Sequence, residues 1–140
     1  MPRKARERSA TGCYHIMGRG INHAAIYNDD ADNMNFLHIL DFCADEDFTI
    51  FAYCLMGNHF HLLAKADADV LQHVMKAVGI RYVAYFNRRY QRDGPLFRGR
   101  YNSQPVTTKG YFLRVLRYIH RNPVAAGIVQ EMQDYPWSCL

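Results

Sequence analysis

The sequence predicts an α+β fold: one antiparallel sheet in the split β-α-β arrangement, ferredoxin-like and RRM-like, with crossover helices on one face and an extra C-terminal helix. Three observations carry this expectation. Hydrophobic periodicity switches between strand-like and helix-like in the order strand, helix, strand, strand, helix, strand, helix. A two-residue turn signal, Gly57-Asn58, joins the two middle strands. A long apolar stripe at 3–4 spacing between Val70 and Tyr90 marks the second helix.

Each element has its own signature. Residues 13–18 (Cys-Tyr-His-Ile-Met-Gly) read as a first strand between Gly12 and the Gly18-Arg19-Gly20 break. Ala31 to Asp45 reads as a helix with Asp29 or Asp30 as N-cap and Phe36, Leu37, Leu40 and Cys43 on its apolar side. Phe48 to Met56 is apolar on both faces, as in a covered central strand, and His59 to Lys65 returns from the hairpin. The second helix carries Leu71, Val74, Met75, Val78, Tyr82, Tyr85 and Phe86 on one face and stops at Gly94-Pro95. Leu96 to Val106 reads as a fourth strand, and Thr108 caps a third helix running to about Asn122. Tyr135-Pro136-Trp137 reads as a tail that packs back. With no repeat, low-complexity tract or linker, residues 1–140 are expected to form one domain, large enough for a core without disulfides or structural metal.

Composition narrows the function classes. The four cysteines, Cys13, Cys43, Cys54 and Cys139, are scattered without a C-x-x-C pair, which argues against a zinc ribbon or a disulfide framework. No apolar run approaches the roughly 20 residues of a membrane span. A soluble protein of the reducing cytoplasm is expected. Net charge is +4, yet residues 20–64 hold seven acids and no Lys or Arg, so the remainder carries +11. Arg3, Lys4, Arg6 and Arg8 form a basic arm. Arg81, Arg88, Arg89, Arg92, Arg98 and Arg100 alternate with Tyr82, Tyr85, Phe86, Tyr90, Phe97 and Tyr101. Cations for phosphates beside rings that stack on bases suit single-stranded nucleic acid, although the same pattern fits a solvated helix face over core rings. The acidic segment should face away from a polyanion.

Two histidines carry the chemistry. In Met56-Gly57-Asn58-His59-Phe60-His61-Leu62-Leu63, strand alternation projects His59 and His61 to one face while Phe60 and Leu62 turn to the other. Such a pair makes half of a divalent-metal site; alone, it is a weak signal that more often describes two ordinary strand histidines. A second constellation is Arg117-Tyr118-Ile119-His120-Arg121-Asn122-Pro123. Phe112, Val115, Leu116 and Ile119 form the apolar seam of this helix, and Tyr118 sits roughly 110° from its centre. Asn122 follows at about 40° from Tyr118, whereas His120 points about 160° away. If the helix crosses the histidine face, Tyr118 and Asn122 arrive there together. Two imidazoles and an amide oxygen, with open positions for water and phosphate oxygens, suit Mg²⁺ or Mn²⁺. Phenols ionise only near pH 10, so such a nucleophile needs a base or a nearby cation. Tyr111, one heptad earlier, competes with Tyr118 for that role, and Asn122 before Pro123 can equally be ending the helix. His15 reads as a core or surface histidine, and His23, His38, His73 and His120 are given no role.

Several spaced motifs occur together in order: Met1-Pro2-Arg3-Lys4-Ala5-Arg6, Tyr14-His15-Ile16 with Gly18-Arg19-Gly20, Asp29-Asp30, Met56 to Leu63, Leu96-Phe97-Arg98-Gly99-Arg100-Tyr101, Leu116 to Gly127, and Tyr135-Pro136-Trp137-Ser138. On these residues the chain resembles the single-tyrosine HUH transposases of the smallest bacterial insertion sequences, and especially their domesticated relatives, the REP-associated tyrosine transposases. The resemblance implies an enzyme that cleaves and rejoins single-stranded DNA beside a hairpin. It makes His59 and His61 the HUH ligands, Tyr118 the nucleophile of a 5′-phosphotyrosine link and Asn122 the third ligand, where many relatives carry glutamine. It points to Arg3, Lys4, Arg6, Arg8, Arg19, Arg98 and Arg100 as the DNA-binding cations. It implies either a homodimer sharing active sites or a monomer. Two other readings stand beside it: a non-catalytic single-stranded RNA or DNA module of the same topology, and a hydrolase using metal-bound water.

Overall fold

The structure, a computed structural model, describes residues 5–139, so Arg3 and Lys4 lie outside the described residues. Its elements are β1 (Cys13–Arg19), α1 (Asp30–Cys43), β2 (Thr49–Leu55), β3 (His59–Lys65), α2 (Ala68–Tyr90), β4 (Asn102–Pro105), α3 (Lys109–Ala125) and β5 (Ser138–Cys139), with short 3-10 turns at Ile21–His23 and Met132–Asp134. The strands form one antiparallel sheet in the order β4-β1-β3-β2-β5. This is the predicted split β-α-β fold, with β5 added at the β2 edge.

Alternation along the strands divides the interior into two layers. Tyr14, Ile16, Phe60, Leu62 and Ala64 face α1 and α2, where they meet Phe36, Leu40, Leu71, Val74, Val78 and Tyr82. On the opposite face Ala52, Cys54, Leu63 and Val106 meet Val115 and Ile119 of α3. The His59/His61 pair therefore shares its face with α3 and not with the crossover helices. β3 is central, paired with β1 through Arg19↔His59 and Met17↔His61, and with β2 through Leu55↔Phe60. The Met56 N–H donates to the His59 carbonyl across Gly57-Asn58 (2.8 Å), which closes the expected hairpin.

Caps fix the helix starts. The Asp29 carboxylate accepts from the Asp32 N–H (3.1 Å), and the Thr108 hydroxyl accepts from the Tyr111 N–H (3.1 Å). α2 ends earlier than the Gly94-Pro95 signal, on Gln91 in the left-handed region (φ 52°). Regular pairing in the fourth strand is confined to Asn102–Pro105 and not to 96–106. Gly99 adopts φ +64° and breaks the ladder, and before it only Phe97 bridges, to Gly20. α3 continues through Pro123 to Ala125, past the expected stop at Asn122. The tail does pack back: the Leu55 N–H donates to the Trp137 carbonyl (2.8 Å) and the Tyr135 hydroxyl donates to the Leu55 carbonyl.

The aromatic-arginine interleaving of α2 is mostly structural. Tyr82 and Phe86 are core residues. Asp32, fully buried, accepts from the hydroxyls of Tyr85 (2.9 Å) and Tyr90 (2.5 Å) and from Arg89 (2.7 Å), joining α1 to α2. Burial pushes the Asp32 carboxyl up, but these bonds outweigh it and hold it below the usual range. No helix among the described residues is long and apolar enough to cross a membrane.

Candidate active site

β1, β3 and α3 converge on a cavity of about 320 Å³ lined by Met17, Arg19, His23, Asn58, His59, His61 and Tyr118. Strand alternation puts both imidazoles on the α3 face, and their ring centroids lie 5.1 Å apart. Tyr118 is 55% exposed, although its ring centre is only 5.4 Å from that of buried His61. It is a flank residue of α3, as the helical spacing predicts, held over the histidines while Val115 and Ile119 anchor the buried side.

The hydrogen bonds select which ring nitrogens stay free. His59 Nδ1 lies 2.7 Å from Asn58 Oδ1, an acceptor, so the proton sits on Nδ1 and the Nε2 lone pair is available. His61 Nδ1 lies 3.0 Å from His15 Nε2. His15 also stacks on His61 (5.2 Å between ring centres) and meets the Tyr118 ring edge-on (6.1 Å). Sequence reasoning treated His15 as an ordinary strand histidine. The signal that could have found it is register: His15 stands diagonal to His61 on the neighbouring strand and on the same face.

Burial keeps these imidazoles neutral. Burial, reinforced by the charges of His15 and His59, lowers His61 to about 3. Burial and the Arg19 guanidinium lower His59, and burial alone lowers His15. Neutral rings with engaged Nδ1 and open Nε2 positions are what a divalent cation of intermediate softness requires, so the donor set fits Mn²⁺ or Mg²⁺. Among the described residues no three His, Cys, Asp or Glu side chains form a complete metal cage. Further donors would therefore be an amide, water or substrate oxygens.

The remaining predicted site residues divide. Asn122 does not line this cavity; its Nδ2 is buried without a hydrogen-bond partner among the described residues. His23 enters the lining without having been singled out. Arg6, Arg19, Arg98 and Arg100 gather around a second cavity, reached from the first past Arg19, which lines both. Arg8 instead pairs with Asp69 (3.4 Å) at the other end of the sheet. Tyr111 donates to Gln104 Oε1 (3.3 Å) and lies outside the histidine cavity.

Comparison with known families decides the lineage, since the model for IS200-like transposases matches residues 9–122. The chain belongs to the IS200-like transposase family. Among curated proteins no match was found. Among solved structures, this IS200-like transposase is similar to a REP-associated tyrosine transposase bound to a REP hairpin. The TM-score is 0.74 at 16% identity, over 99% of this chain and 82% of the other. It is also similar to a candidate transposase from Deinococcus radiodurans R1, with a TM-score of 0.52 at 20% identity over 85% and 94% of the two chains. At these identities the two structures support the fold, and the family match supports the transposase class.

Proposed function

We propose that this family member cleaves and rejoins single-stranded DNA beside a hairpin, with Tyr118 as nucleophile and a divalent cation at His59 and His61. The observation that carries this is Tyr118 itself, an exposed ring on α3 set against buried, neutral His61. His59 and His61 would hold the cation through Nε2, with the amide oxygen of Asn122, whose Nδ2 has no partner among the described residues, turning to supply a third donor. When bound, Mn²⁺ or Mg²⁺ supplies charge stabilisation for the scissile phosphate.

The residues then divide the work. The Tyr118 oxygen attacks phosphorus in line, and the bond to the 3′ oxygen breaks. The phenolic proton passes through solvent to the departing 3′ oxygen, leaving a 3′-hydroxyl and a 5′-phosphotyrosine. Because a phenolate is itself a competent leaving group, a 3′-hydroxyl can reverse the step, which conserves the bond energy for rejoining. Arg19, opposite His59 in the ladder, is placed to hold a non-bridging oxygen. Tyr118 and both histidines meet within one chain, which favours a site completed without a partner subunit. The hairpin is proposed from the similar REP-associated tyrosine transposase, which is bound to a REP hairpin. A single domain acting on nucleoid DNA in the cytoplasm agrees with free Cys13, Cys43 and Cys54.

The test is covalent capture. A hairpin-bearing oligonucleotide with Mn²⁺ or Mg²⁺ should give a protein-DNA adduct that survives denaturing electrophoresis, disappears on chelation and is absent in Tyr118→Phe. An adduct retained by Tyr118→Phe transfers the role to another tyrosine, with Tyr111 the first to test. Product ends free of protein, formed at full rate, would favour metal-bound water instead.

A further inference from the structure

On the opposite face of the sheet from Tyr118, a cavity of about 450 Å³ opens between α2 and the Phe97–Tyr101 segment. Its rim carries Arg6, Arg19, Lys76, Arg98 and Arg100, and no carboxylate lines it. Of the three ion pairs among the described residues, none involves Arg19, Lys76, Arg98 or Arg100. Its floor is aromatic: buried Phe36 and Phe60, with Phe97 half-buried and edge-on to Phe60 (6.0 Å). Two further features point to a ligand. Gly79 lines the cavity from the middle of α2, where glycine is unfavourable by about 1 kcal/mol relative to alanine, yet a Cβ there would meet nothing within 4 Å. The helix accepts that cost and leaves open space. Tyr101, with the Arg6 guanidinium 3.8 Å from its ring centre, has a buried hydroxyl with no hydrogen-bond partner among the described residues.

An apolar floor of tilted rings, with Phe97 offering a face at its edge, a hydroxyl unpartnered among the described residues and a cationic rim without acids match a nucleobase with phosphates on either side. Arg19 also lines the histidine cavity, so a strand leaving that cavity passes this residue at the end of β1. We propose that this cavity is a subsite for one unpaired base of the bound DNA strand, a few nucleotides from the scissile phosphate. Phe97 stacks on the base, Tyr101 hydrogen-bonds its edge, and Arg98 and Arg100 hold the flanking phosphates. This subsite rests on the reading of the protein as a single-strand DNA enzyme, but it concerns binding and needs no covalent step.

The experiment is run in the full chain carrying Tyr118→Phe, so that no adduct forms. The probes are a mixed-sequence single-stranded DNA 12-mer, the same length made wholly of abasic residues, an RNA 12-mer and deoxynucleoside monophosphates. Base stacking is worth roughly 5- to 150-fold per base, so the ordinary strand should bind at least 5-fold tighter than the abasic one. Gly79→Leu, which fills the cavity from a position with room for it, should lower that ratio at least 5-fold while leaving abasic binding and the melting temperature no worse. Phe97→Leu should lower the ratio in the same direction. A 5-iododeoxyuridine strand should photocrosslink to the peptide containing Phe97 and Tyr101. An unchanged ratio in both variants, or crosslinks confined to other peptides, would overturn the subsite. Monophosphates binding as tightly as the 12-mer would make it a free-nucleotide site, and preference for the RNA strand would make it an RNA site; either result overturns the proposal. Failure of covalent capture with Phe97 crosslinking intact would sink the cleavage reading alone.

Discussion

At the scale of single residues, the proposed site divides the histidine trio between two tasks, His59 and His61 to hold the cation and His15 to orient one of its holders. For His61 to offer Nε2, its Nδ1 must carry the proton and donate to His15 Nε2, which fixes both tautomers. His15 is then a positioning residue, and His15→Ala should weaken Mn²⁺ binding about 10- to 100-fold by calorimetry, with His15→Gln recovering part of the loss through its amide oxygen. Unchanged Mn²⁺ affinity in His15→Ala would remove the role. The same burial sets an acid sensitivity. His61 titrates near 3 in the folded chain against an ordinary 6.5, so the unfolded chain takes up protons first as pH falls. The associated stability is complete above pH 6.5 and declines from there toward pH 3. Melting temperatures of metal-free protein between pH 7.5 and 4.5 should therefore fall, and His61→Gln should flatten the slope; equal slopes would mean that His61 is not buried as a neutral ring. The His59/His61 pair was legible because strand period alone fixes a shared face. His15 was not, because its role depends on a cross-strand diagonal that no local pattern reveals.

At the scale of elements, the hairpin and the helix caps were legible because Gly57-Asn58, Asp29 and Thr108 act within a few residues of their partners. The shortened β4 and the extended α3 were not. Gly99 interrupts a stretch whose composition still reads as strand, and Pro123 is tolerated because it removes only one intrahelical donor near the end of α3. Of the two readings the sequence left open for the α2 rings, base stacking or core packing, packing prevails, since Asp32 engages the hydroxyls of Tyr85 and Tyr90. The Gly18-Arg19-Gly20 signal has a steric meaning that sequence could only mark as a break. A Cβ on Gly20 would lie 2.1 Å from the Ala24 carbonyl oxygen, a backbone atom that no rotamer change can move. Gly20→Ala should thus cost about 1–3 kcal/mol in urea unfolding. Gly79→Ala, whose Cβ meets open space, should instead stabilise by up to about 1 kcal/mol. Equal effects of the two substitutions would contradict the packing described for the end of β1.

At the scale of the whole molecule, charge is graded along the strands. Arg19, Arg98 and Arg100 cluster at the end where β3 begins with His59, while Glu46, Asp47, Asp67 and Asp69 line a cavity at the other end, beside Lys65. His59 and Lys65 are the two ends of the seven-residue β3, a span of about 20 Å and more than a Debye length at physiological salt. Of the acids at the start of α1, Asp29 and Asp32 both pair with Arg89, which offsets one of their two charges. A single strand bound at the histidine end should accordingly sense Arg98 but not Arg8, which is already paired with Asp69 at the far end. Each phosphate contact to a single strand contributes about 0.7 to the slope of log K against log salt. Arg98→Ala should therefore reduce the slope by about that amount, and Arg8→Ala should leave it unchanged. The reverse ranking would move the DNA path to the acidic end, where Tyr118 could not reach it.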